Sequence, residues 1–354
     1  MLNNSPYFLQ PASVRSVMLR VLVALLPGIA AYVWFFGAGV LIQIALASAA
    51  ALAGEAAMLA IRRKPLWLFL GDGSALVTAW LIALTFPPIA PWWLVVSATL
   101  FGIVIVKHLY GGLGQNPFNP AMVAFCVMIV AFPQLMSQWP AAGVFGGFDG
   151  LSHLGEQLDL IFGGGAARHL DAVTMATSLD ALRTALHGTD ANATISRVIG
   201  GSGNSVGSFG SFGGKGWEWV GAGYLLGGTW LIQQRIITWH IPTAFVAMLA
   251  ATAGLAHLIS PDHHAGALFH LFSGGAMLGA FFIATDPVSG ATTPRGKLIY
   301  AAGIALLTWV IRSFGAYPDG IAFATMLMNI GAPLIDKWTQ PAVFGHKKSD
   351  STKP

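Results

Sequence analysis

Long apolar stretches separated by short polar segments dominate the chain. A helix that crosses a hydrocarbon core of about 30 Å needs about 20 residues at 1.5 Å each, and apolar runs of this order recur along the sequence. The ten stretches lie near 17-35, 38-61, 68-87, 91-108, 119-135, 217-234, 240-258, 266-284, 297-313 and 319-336. The pattern predicts an all-α polytopic membrane protein with about ten transmembrane helices.

The composition excludes a soluble globular protein. Of the 354 residues, 55% are apolar and only 9% are charged, whereas a soluble domain carries about 25% charged residues. Lys and Arg number 18 against 14 Asp and Glu. In a membrane protein such an excess is typical of loops that face anionic lipid. We therefore expect membrane lipid as a partner, and no nucleic acid.

The positions of Lys and Arg orient the predicted helices. With a cytoplasmic N-terminus, 13 of these residues fall on the cytoplasmic side and 5 on the other, as the positive-inside rule requires. We expect a multi-pass protein of a bacterial inner (plasma) membrane with both termini cytoplasmic. Its predicted parts are a first membrane repeat of five helices at 1-135, a periplasmic loop with a Gly/Ser linker at 136-216, a second five-helix repeat at 217-340 and a cytoplasmic tail at 341-354.

The two predicted halves carry similar stretches. Ala83–Pro87 corresponds to Ile283–Pro287, and residues 114–125 loosely match residues 318–331. Because each half has an odd number of spans, the two copies must face opposite ways. Inverted five-helix repeats are typical of channels and secondary transporters, with broken helices near the midplane. The residues alone leave open the simpler interpretation that Gly and Pro recur in membrane helices.

Polar residues inside the apolar stretches are few. An ionisable residue at membrane depth is by default a functional candidate. The position of Asp72 fits a helix cap and a functional carboxylate equally well. Glu55 fits an acidic side chain that faces the interior of the helix bundle. The segment NPFNPAM at 116–122 breaks a span with two Asn-Pro pairs. Asn116 and Asn119 therefore cap a helix start or hydrogen-bond a ligand.

Cysteine and histidine usage limits the possible chemistry. A single cysteine, Cys126, can form neither a disulfide nor a cysteine-ligated iron–sulfur cluster within the chain. The histidines show no metal-ligand spacing with a second donor. We therefore predict no metal site, and any redox group must be organic or shared with a partner.

Two segments share one hydroxyl-rich pattern. DAVTMAT at 171–177 and DPVSGAT at 286–292 each contain an acidic residue, two spacers, a hydroxyl residue, one further residue and Ala-Thr. Such residues are common in turns and helix caps, so the pattern by itself is a weak signal. The polar residues of the two copies are Asp171, Thr174, Thr177, Asp286, Ser289 and Thr292.

Four stretches carry a family resemblance at matching separations. They are GDGSALVTAWLIALTFPP at 71–88, KHLYGGLGQNPFNPAMVAF at 107–125, ITWHIP at 237–242 and the stretch 284–336. Together they resemble the D subunits of the Rnf electron-transport complex, a family related to the B subunits of the sodium-pumping NADH:quinone reductase. The resemblance covers nearly all the membrane part and implies a urea-transporter-like fold of two inverted five-helix repeats.

The resemblance also implies a covalent FMN, joined through its phosphate to a threonine by an extracytoplasmic flavin transferase. Thr292 ends the sequence SGAT, which fits the family's attachment sequence, whereas the stretch before Thr177 departs from it at Met175, where glycine is usual. Thr177 lies in the predicted periplasmic loop, within reach of the transferase, so we predict the phosphoester there. A second, noncovalent flavin such as riboflavin is also implied. The other predicted cofactor-binding residues are Asp171, Thr174, Asn116, Asn119, Asp286, Ser289 and Thr292.

For function, the resemblance implies a flavoprotein subunit of a translocase that relays electrons between ferredoxin and NAD with coupled movement of Na⁺ or H⁺. The chain has no GxGxxG motif in a strand–turn–helix setting and no cysteine cluster. Partner iron–sulfur and flavin subunits must therefore bind NAD and ferredoxin, and no catalytic residue or complete activity is expected of this chain alone. The alternatives are a channel or secondary transporter for a small polar solute, and an assembly scaffold.

Overall fold

Helices form the regular structure of the protein. The computed structural model describes residues 13–147, 153–163, 173–187, 194–199 and 208–341. Within these ranges the only β-type pairings are isolated bridges, between Pro140 and Thr174 and between Phe209 and Gly214. The predicted all-α class is therefore confirmed for the described part of the chain.

Seven helices follow one another in residues 13–147. Helix α1 begins after Ser13, whose hydroxyl accepts a hydrogen bond from the backbone N–H of Ser16 (3.2 Å), and α5 ends as a π-helix over Phe101–His108. The helices are α1 Val14–Phe36, α2 Gly39–Ile61, α3 Leu66–Leu70, α4 Ser74–Thr85, α5 Trp92–His108, α6 Pro120–Ala131 and α7 Pro133–Met136.

Later helices form the long connecting segment and the second half. Three short ones lie in the connecting segment: α8 Leu154–Phe162, α9 Ser178–His187 and α10 Ile195–Ile199. The second half contains α11 Trp217–Gln233, α12 His240–Ile259, α13 Ala267–Leu271, α14 Ala276–Leu278 with its π-helical continuation Gly279–Ile283, α15 Pro294–Phe314 and α16 Ile321–Thr339.

Several helices suit a membrane environment. By length and composition, α1, α2, α12 and α15 can each cross a membrane, and α4, α5 and α6 are shorter apolar helices. Helical residues occupy all ten apolar stretches predicted from the sequence, and three of those stretches are interrupted. The prediction of a helical, multi-pass membrane protein agrees with this architecture.

Two of the interruptions are built alike. Between α3 and α4 the chain turns at Gly73, with φ +80°, and between α13 and α14 it turns at Gly274, with φ +62°; glycine adopts this left-handed region without steric cost. In each case a carboxylate binds the N–H at the start of the next helix: Asp72 accepts from Ser74 (2.7 Å), and Asp319 accepts from Gly275 (2.8 Å). Asp72 is thus a helix cap.

A single hydrophobic core joins the two halves. Its buried residues come from α1, α2, α4 to α7 and α11 to α16, and α1 of the first half packs along α11 of the second. Glycines bring these two helices together: a Cβ atom on Gly227 would overlap the carbonyl oxygen of Ala24. Small residues at membrane-helix crossings allow such close backbone approach.

The described parts of the connecting segment pack on the membrane helices. The side chain of Gln157, on α8, is fully buried and its Oε1 accepts from the backbone N–H of Gly39 (2.5 Å). Helices α9 and α10 bury apolar residues against Ala265 and Phe269, at the start of α13. The connecting segment therefore positions α9 against the helical body.

The α1–α11 crossing gives a stability prediction. We expect Gly227→Ala to lower the midpoint of thermal unfolding in detergent, because overpacking costs about 1–3 kcal/mol. Gly254→Ala, on α12, is the matched control, since a Cβ atom there would meet no described atom within 4 Å. Equal midpoints for the two variants would contradict close packing at Gly227.

Candidate functional site

Four of the predicted cofactor-binding residues line one cavity of about 320 Å³. They are Asn116, Asn119, Asp286 and Thr292. The cavity lies among the N-terminal part of α4, the segment before α6, the segment after α14 and the α11–α12 connection. Its volume is at the lower end of small-molecule sites, which span roughly 300–1,000 Å³.

Asn119 holds the start of α6 and contacts the other half. Its Oδ1 accepts from the backbone N–H groups of Ala121 (3.0 Å) and Met122 (3.3 Å), which makes it the N-cap of α6. Its side-chain nitrogen donates to the carbonyl oxygen of Ile283 (3.4 Å), at the end of α14. The cap interpretation is confirmed, and the same side chain also faces the cavity. Asn116 is buried too, and its amide donates to the carbonyl oxygen of Phe118 (2.9 Å).

Asn329, on α16, links the segment around Asn119 to α15. With its amide nitrogen facing Tyr300 Oη (2.5 Å), that nitrogen also donates to the carbonyl oxygens of Ser289 (3.3 Å) and Thr325 (3.2 Å). Its oxygen then accepts from the backbone N–H of Asn119 (3.0 Å). The amide thus connects the two halves.

Asp286 is held by its own turn, in the connection between α14 and α15. Its carboxylate accepts from the Ser289 hydroxyl (2.7 Å) and from the backbone N–H of Val288 (3.2 Å). Burial raises the pKa of the Asp286 carboxyl above its ordinary value, and the hydrogen bonds from Ser289 and Val288 oppose that rise. Ser289 itself is buried and supports Asp286 from outside the cavity lining.

Thr292 belongs to a set of hydrogen bonds, referred to below as the Asp336 clasp, in which Thr292 and Thr293 before α15 bind the Asp336 carboxylate of α16. Its hydroxyl donates to Asp336 Oδ2 (2.8 Å), and its backbone N–H lies 3.0 and 2.9 Å from the two carboxylate oxygens. The backbone N–H of Thr293 donates to the same carboxylate (3.2 Å). Thr293 in turn caps α15 by accepting from the N–H of Gly296 (3.0 Å). The hydroxyl of Thr292 therefore has a structural partner.

Thr177 lies in a different place, at the start of α9. Its Oγ1 accepts from the backbone N–H of Asp180 (3.3 Å), and its carbonyl accepts from Ala181 (2.8 Å). The preceding residues pair with 139–141: Ala141 N–H donates to Val173 (2.9 Å), and Met175 N–H donates to Trp139 (2.9 Å). Two backbone hydrogen bonds to residues 139–141 and the helix cap thus hold the segment around Thr177 in place. Thr174 forms the isolated bridge with Pro140, and Asp171 lies outside the described residues.

A groove of about 390 Å³ opens beside Thr177. Trp139, Arg183 and Tyr317 line it together with the threonine. Thr177 also lines a smaller cavity of about 100 Å³, which reaches Thr85 at the C-terminal end of α4. The partly exposed threonine therefore lies among aromatic rings and the ion pair of Arg183 with Asp180 (4.0 Å).

Two charged residues that sequence reasoning missed are buried. Lys107 falls among the charges that flank a predicted span, yet it is 2% exposed, lines the 320 Å³ cavity and contacts Glu55 (2.7 Å) and Ser74 Oγ (2.8 Å). Arg312 is buried likewise and contacts Asp319 (3.1 Å). A sequence signal could have found both residues, because each is a cation within the bounds of an apolar stretch. A cation at membrane depth requires a partner inside the protein.

Comparisons with known proteins agree with this architecture. The model of the NQR2, RnfD, RnfE family matches residues 1–345. A protein of Yersinia pseudotuberculosis is 46% identical over 356 residues, covering 97% of this chain and 98% of that protein. Proteins of Erwinia tasmaniensis and Citrobacter koseri are 47% identical over 361 residues and 46% identical over 354 residues, and 98% of each is covered. All three are named as the D subunit of an ion-translocating oxidoreductase complex.

Broken apolar helices around a cavity with a few polar groups define a multi-pass helical membrane protein. The match over nearly the whole length is specific enough to go further. The chain belongs to the NQR2, RnfD, RnfE family, as the resemblance indicated.

The Asn119 contacts predict a graded loss of stability. Asn119→Ala should lower the free energy of unfolding by about 1 kcal/mol, the usual cost of a lost N-cap. Asn119→Ser should cost less, because serine keeps a neutral acceptor oxygen for the start of α6 and loses only the bond to Ile283. Thermal unfolding in detergent measures both, with Gln115→Ala, at an exposed position, as the control. An alanine variant as stable as the wild type would contradict the role of the cap.

Proposed function

We propose that this chain is the D subunit of an ion-translocating oxidoreductase complex in a bacterial inner membrane. It relays electrons through flavin between ferredoxin and NAD, with coupled translocation of Na⁺ or H⁺. The observation that carries the proposal is 46–47% identity, over nearly the whole chain, to proteins of that name. Iron–sulfur and flavin subunits of the complex supply the nucleotide and ferredoxin sites.

Thr177 is the proposed site of the covalent FMN phosphoester. Its hydroxyl stands at the N-terminus of α9, where the helix dipole and the free N–H groups favour an anionic phosphate. Arg183 lines the same groove as a hydrogen-bond donor for phosphate, paired with the Asp180 carboxylate 4.0 Å away, and Trp139 and Tyr317 offer ring faces for the isoalloxazine. Flavin, when bound, supplies the electron-carrying chemistry, while the protein supplies binding and orientation.

Met175 is compatible with attachment at Thr177. Glycine would be required at this position if the backbone adopted a positive φ. Among the described non-glycine residues, positive φ occurs at Arg63 and Arg235, so the backbone at Met175 suits a side chain. The departure from the family's attachment sequence therefore carries no backbone strain in the folded chain.

Thr292 is a poorer acceptor despite its matching sequence. Its hydroxyl donates to the Asp336 carboxylate, so a phosphate there would replace a hydrogen bond with the repulsion of two anions. The Thr177 hydroxyl instead accepts from a backbone N–H. This difference in surroundings supports the choice that the predicted topology favours.

The 320 Å³ cavity is the proposed site of a second, noncovalent flavin. Asparagine amides, the Asp286 carboxylate and the Thr292 hydroxyl provide donors and acceptors for ring nitrogens and carbonyls. Apolar side chains such as Leu81 and Phe281 form the remaining wall. A mostly apolar cavity with a few convergent polar groups is typical of cofactor sites.

An inverted repeat is consistent with the arrangement of α4 and α14. Ser74 at the N-terminus of α4 lines the 320 Å³ cavity, and Thr85 at its C-terminus lines the 100 Å³ cavity beside Thr177. In α14 the order is reversed, with Gly275 at the smaller cavity and Thr285 at the larger one. We propose ten spans in two inverted repeats of urea-transporter-like fold, with cytoplasmic termini and a periplasmic 136-216 loop. The Thr177 side is then extracytoplasmic.

Covalent attachment is tested by in-gel fluorescence. Thr177→Ala should abolish the yellow fluorescence of the denatured protein under ultraviolet light, because it removes the ester oxygen. Thr292→Ala should keep the fluorescence and lose only the hydroxyl bond to Asp336, worth about 1 kcal/mol. The proteins must come from a host that has the flavin transferase.

Thr177→Ala and Thr292→Ala serve as controls for each other, because each removes one of the two candidate attachment hydroxyls. Fluorescence lost only in Thr292→Ala would refute both the site and the topology that favours it. A colourless wild-type band would remove the covalent flavin altogether and favour the transporter, for which the cavity between the halves offers a solute site. Solute flux into liposomes would then separate a transporter from an assembly scaffold.

Occupancy of the larger cavity gives a separate prediction. Val77→Trp should fill part of the cavity that Val77 lines and reduce the flavin that acid extraction releases, while in-gel fluorescence from Thr177 remains. Val130→Trp, at a 59% exposed position of α6, is the control. Unchanged extractable flavin in a folded Val77→Trp protein would place the second flavin elsewhere.

A further inference from the structure

A buried cluster of ionisable side chains lies at the end of α5, and one of its members, Lys107, lines the 320 Å³ cavity. Glu55 of α2 is 3% exposed, and Lys107 and His108 of α5 are each 2% exposed. One oxygen of Glu55 contacts both basic residues, at 2.7 Å from Lys107 Nζ and 3.5 Å from His108 Nε2. Two basic groups thus share one carboxylate oxygen.

The cluster leaves hydrogen-bonding capacity unused. Glu55 Oε2 and both ring nitrogens of His108 have no hydrogen-bond partner among the described residues. A buried polar group without a protein partner in a native protein is accounted for by a bound water molecule, by strain or by a redox or catalytic role. When Lys107 is charged, its positive charge already balances the negative charge of the Glu55 carboxylate. A proton on His108 would therefore change the charge of the cluster from zero to one.

The cluster connects the protein surface to the cavity. On one side, Lys107 and Ser74 line the cavity, and the Lys107 ammonium donates to the Ser74 hydroxyl (2.8 Å). On the other side, His108 is followed directly by Leu109 and Tyr110, which are 62% and 55% exposed. The chain thus reaches the surface directly after His108, whose own side chain is buried, whereas Lys107 reaches the cavity.

We propose that His108, Glu55 and Lys107 form a proton path from the surface at Leu109 and Tyr110 to the cavity. Lys107 gives its proton to a group in the cavity and regains one from His108 by way of the Glu55 carboxylate, and His108 is reprotonated from the surface. Each proton that enters at His108 leaves at the cavity, so the cluster returns to its starting state. The path rests on the proposed function for its purpose, since reduction of a bound flavin consumes protons as well as electrons.

Other charged groups near the path are few. The elements packed against the end of α5 are α2, α4 and α6. Arg62, at the C-cap of α2, donates to the carbonyl oxygen of His108. Asp72 precedes α4 and is bound to the N–H of Ser74, and α6 carries Cys126 as its one ionisable residue. Among these groups, Glu55 is the carboxylate that contacts His108.

The first test follows proton uptake during flavin reduction in the purified complex. A pH-indicator dye reports the protons and flavin absorbance reports the electrons. His108→Gln and Glu55→Gln should slow proton uptake about 10²-fold, the size expected for loss of a proton-transfer group. Glu218→Gln is the matched control, because Glu218 is also a buried carboxylate but bonds the N–H of Phe212 instead. His108→Gln keeps the Glu55–Lys107 ion pair, so folding should survive in that variant.

A second test needs no flavin in the cavity. Infrared difference spectra of the unreduced complex, recorded between acidic and alkaline pH, should contain a Glu55 carboxylate band that Glu55→Gln removes and His108→Gln prevents from shifting. Absence of that band, or wild-type proton uptake in both variants, would overturn the path. Missing flavin with the band present would refute the proposed second flavin and leave the path supported.

Discussion

The structure depends on how the chain satisfies backbone and charged groups inside an apolar body. In hydrocarbon every N–H and C=O group needs a partner within the protein, so helices can be interrupted only where side chains or other backbone groups replace the lost bonds. Asp72, Asn119 and Asp319 meet this need at helix starts by accepting from backbone N–H groups. Each of these helix starts therefore places a polar side chain in an otherwise apolar core.

These polar side chains converge because the helices that carry them pack together. The starts of α4 and α6 and the end of α14 enclose the 320 Å³ cavity, and Lys107 reaches it from α5. A buried cation accompanies two of the three interrupted stretches: Lys107 contacts Ser74 at the start of α4, and Arg312 contacts Asp319, which caps the start of α14. The same constraint that closes the helix ends thus concentrates polar chemistry in the interior.

Similar sequences have different chemistry here because their surroundings differ. The two hydroxyl-rich heptads end in Thr177 and Thr292, which a pattern search treats as equivalents. One hydroxyl accepts a hydrogen bond at a helix N-terminus beside an aromatic groove, and the other donates to the carboxylate of the Asp336 clasp. A local sequence match specifies neither the charge nor the access of the group that must react.

The sequence by itself determined the helical class, the approximate position of each apolar helix, the residues that interrupt the helices and the family, because hydropathy and capping are properties of short segments. Only the tertiary structure decided which polar residues meet. The bonds concerned join residues far apart in the chain, 52 positions for Lys107 with Glu55, 44 for Thr292 with Asp336 and 164 for Asn119 with Ile283. Since no local pattern encodes such distant partners, the sequence presents Lys107 as a flanking charge, and only packing buries it beside a carboxylate.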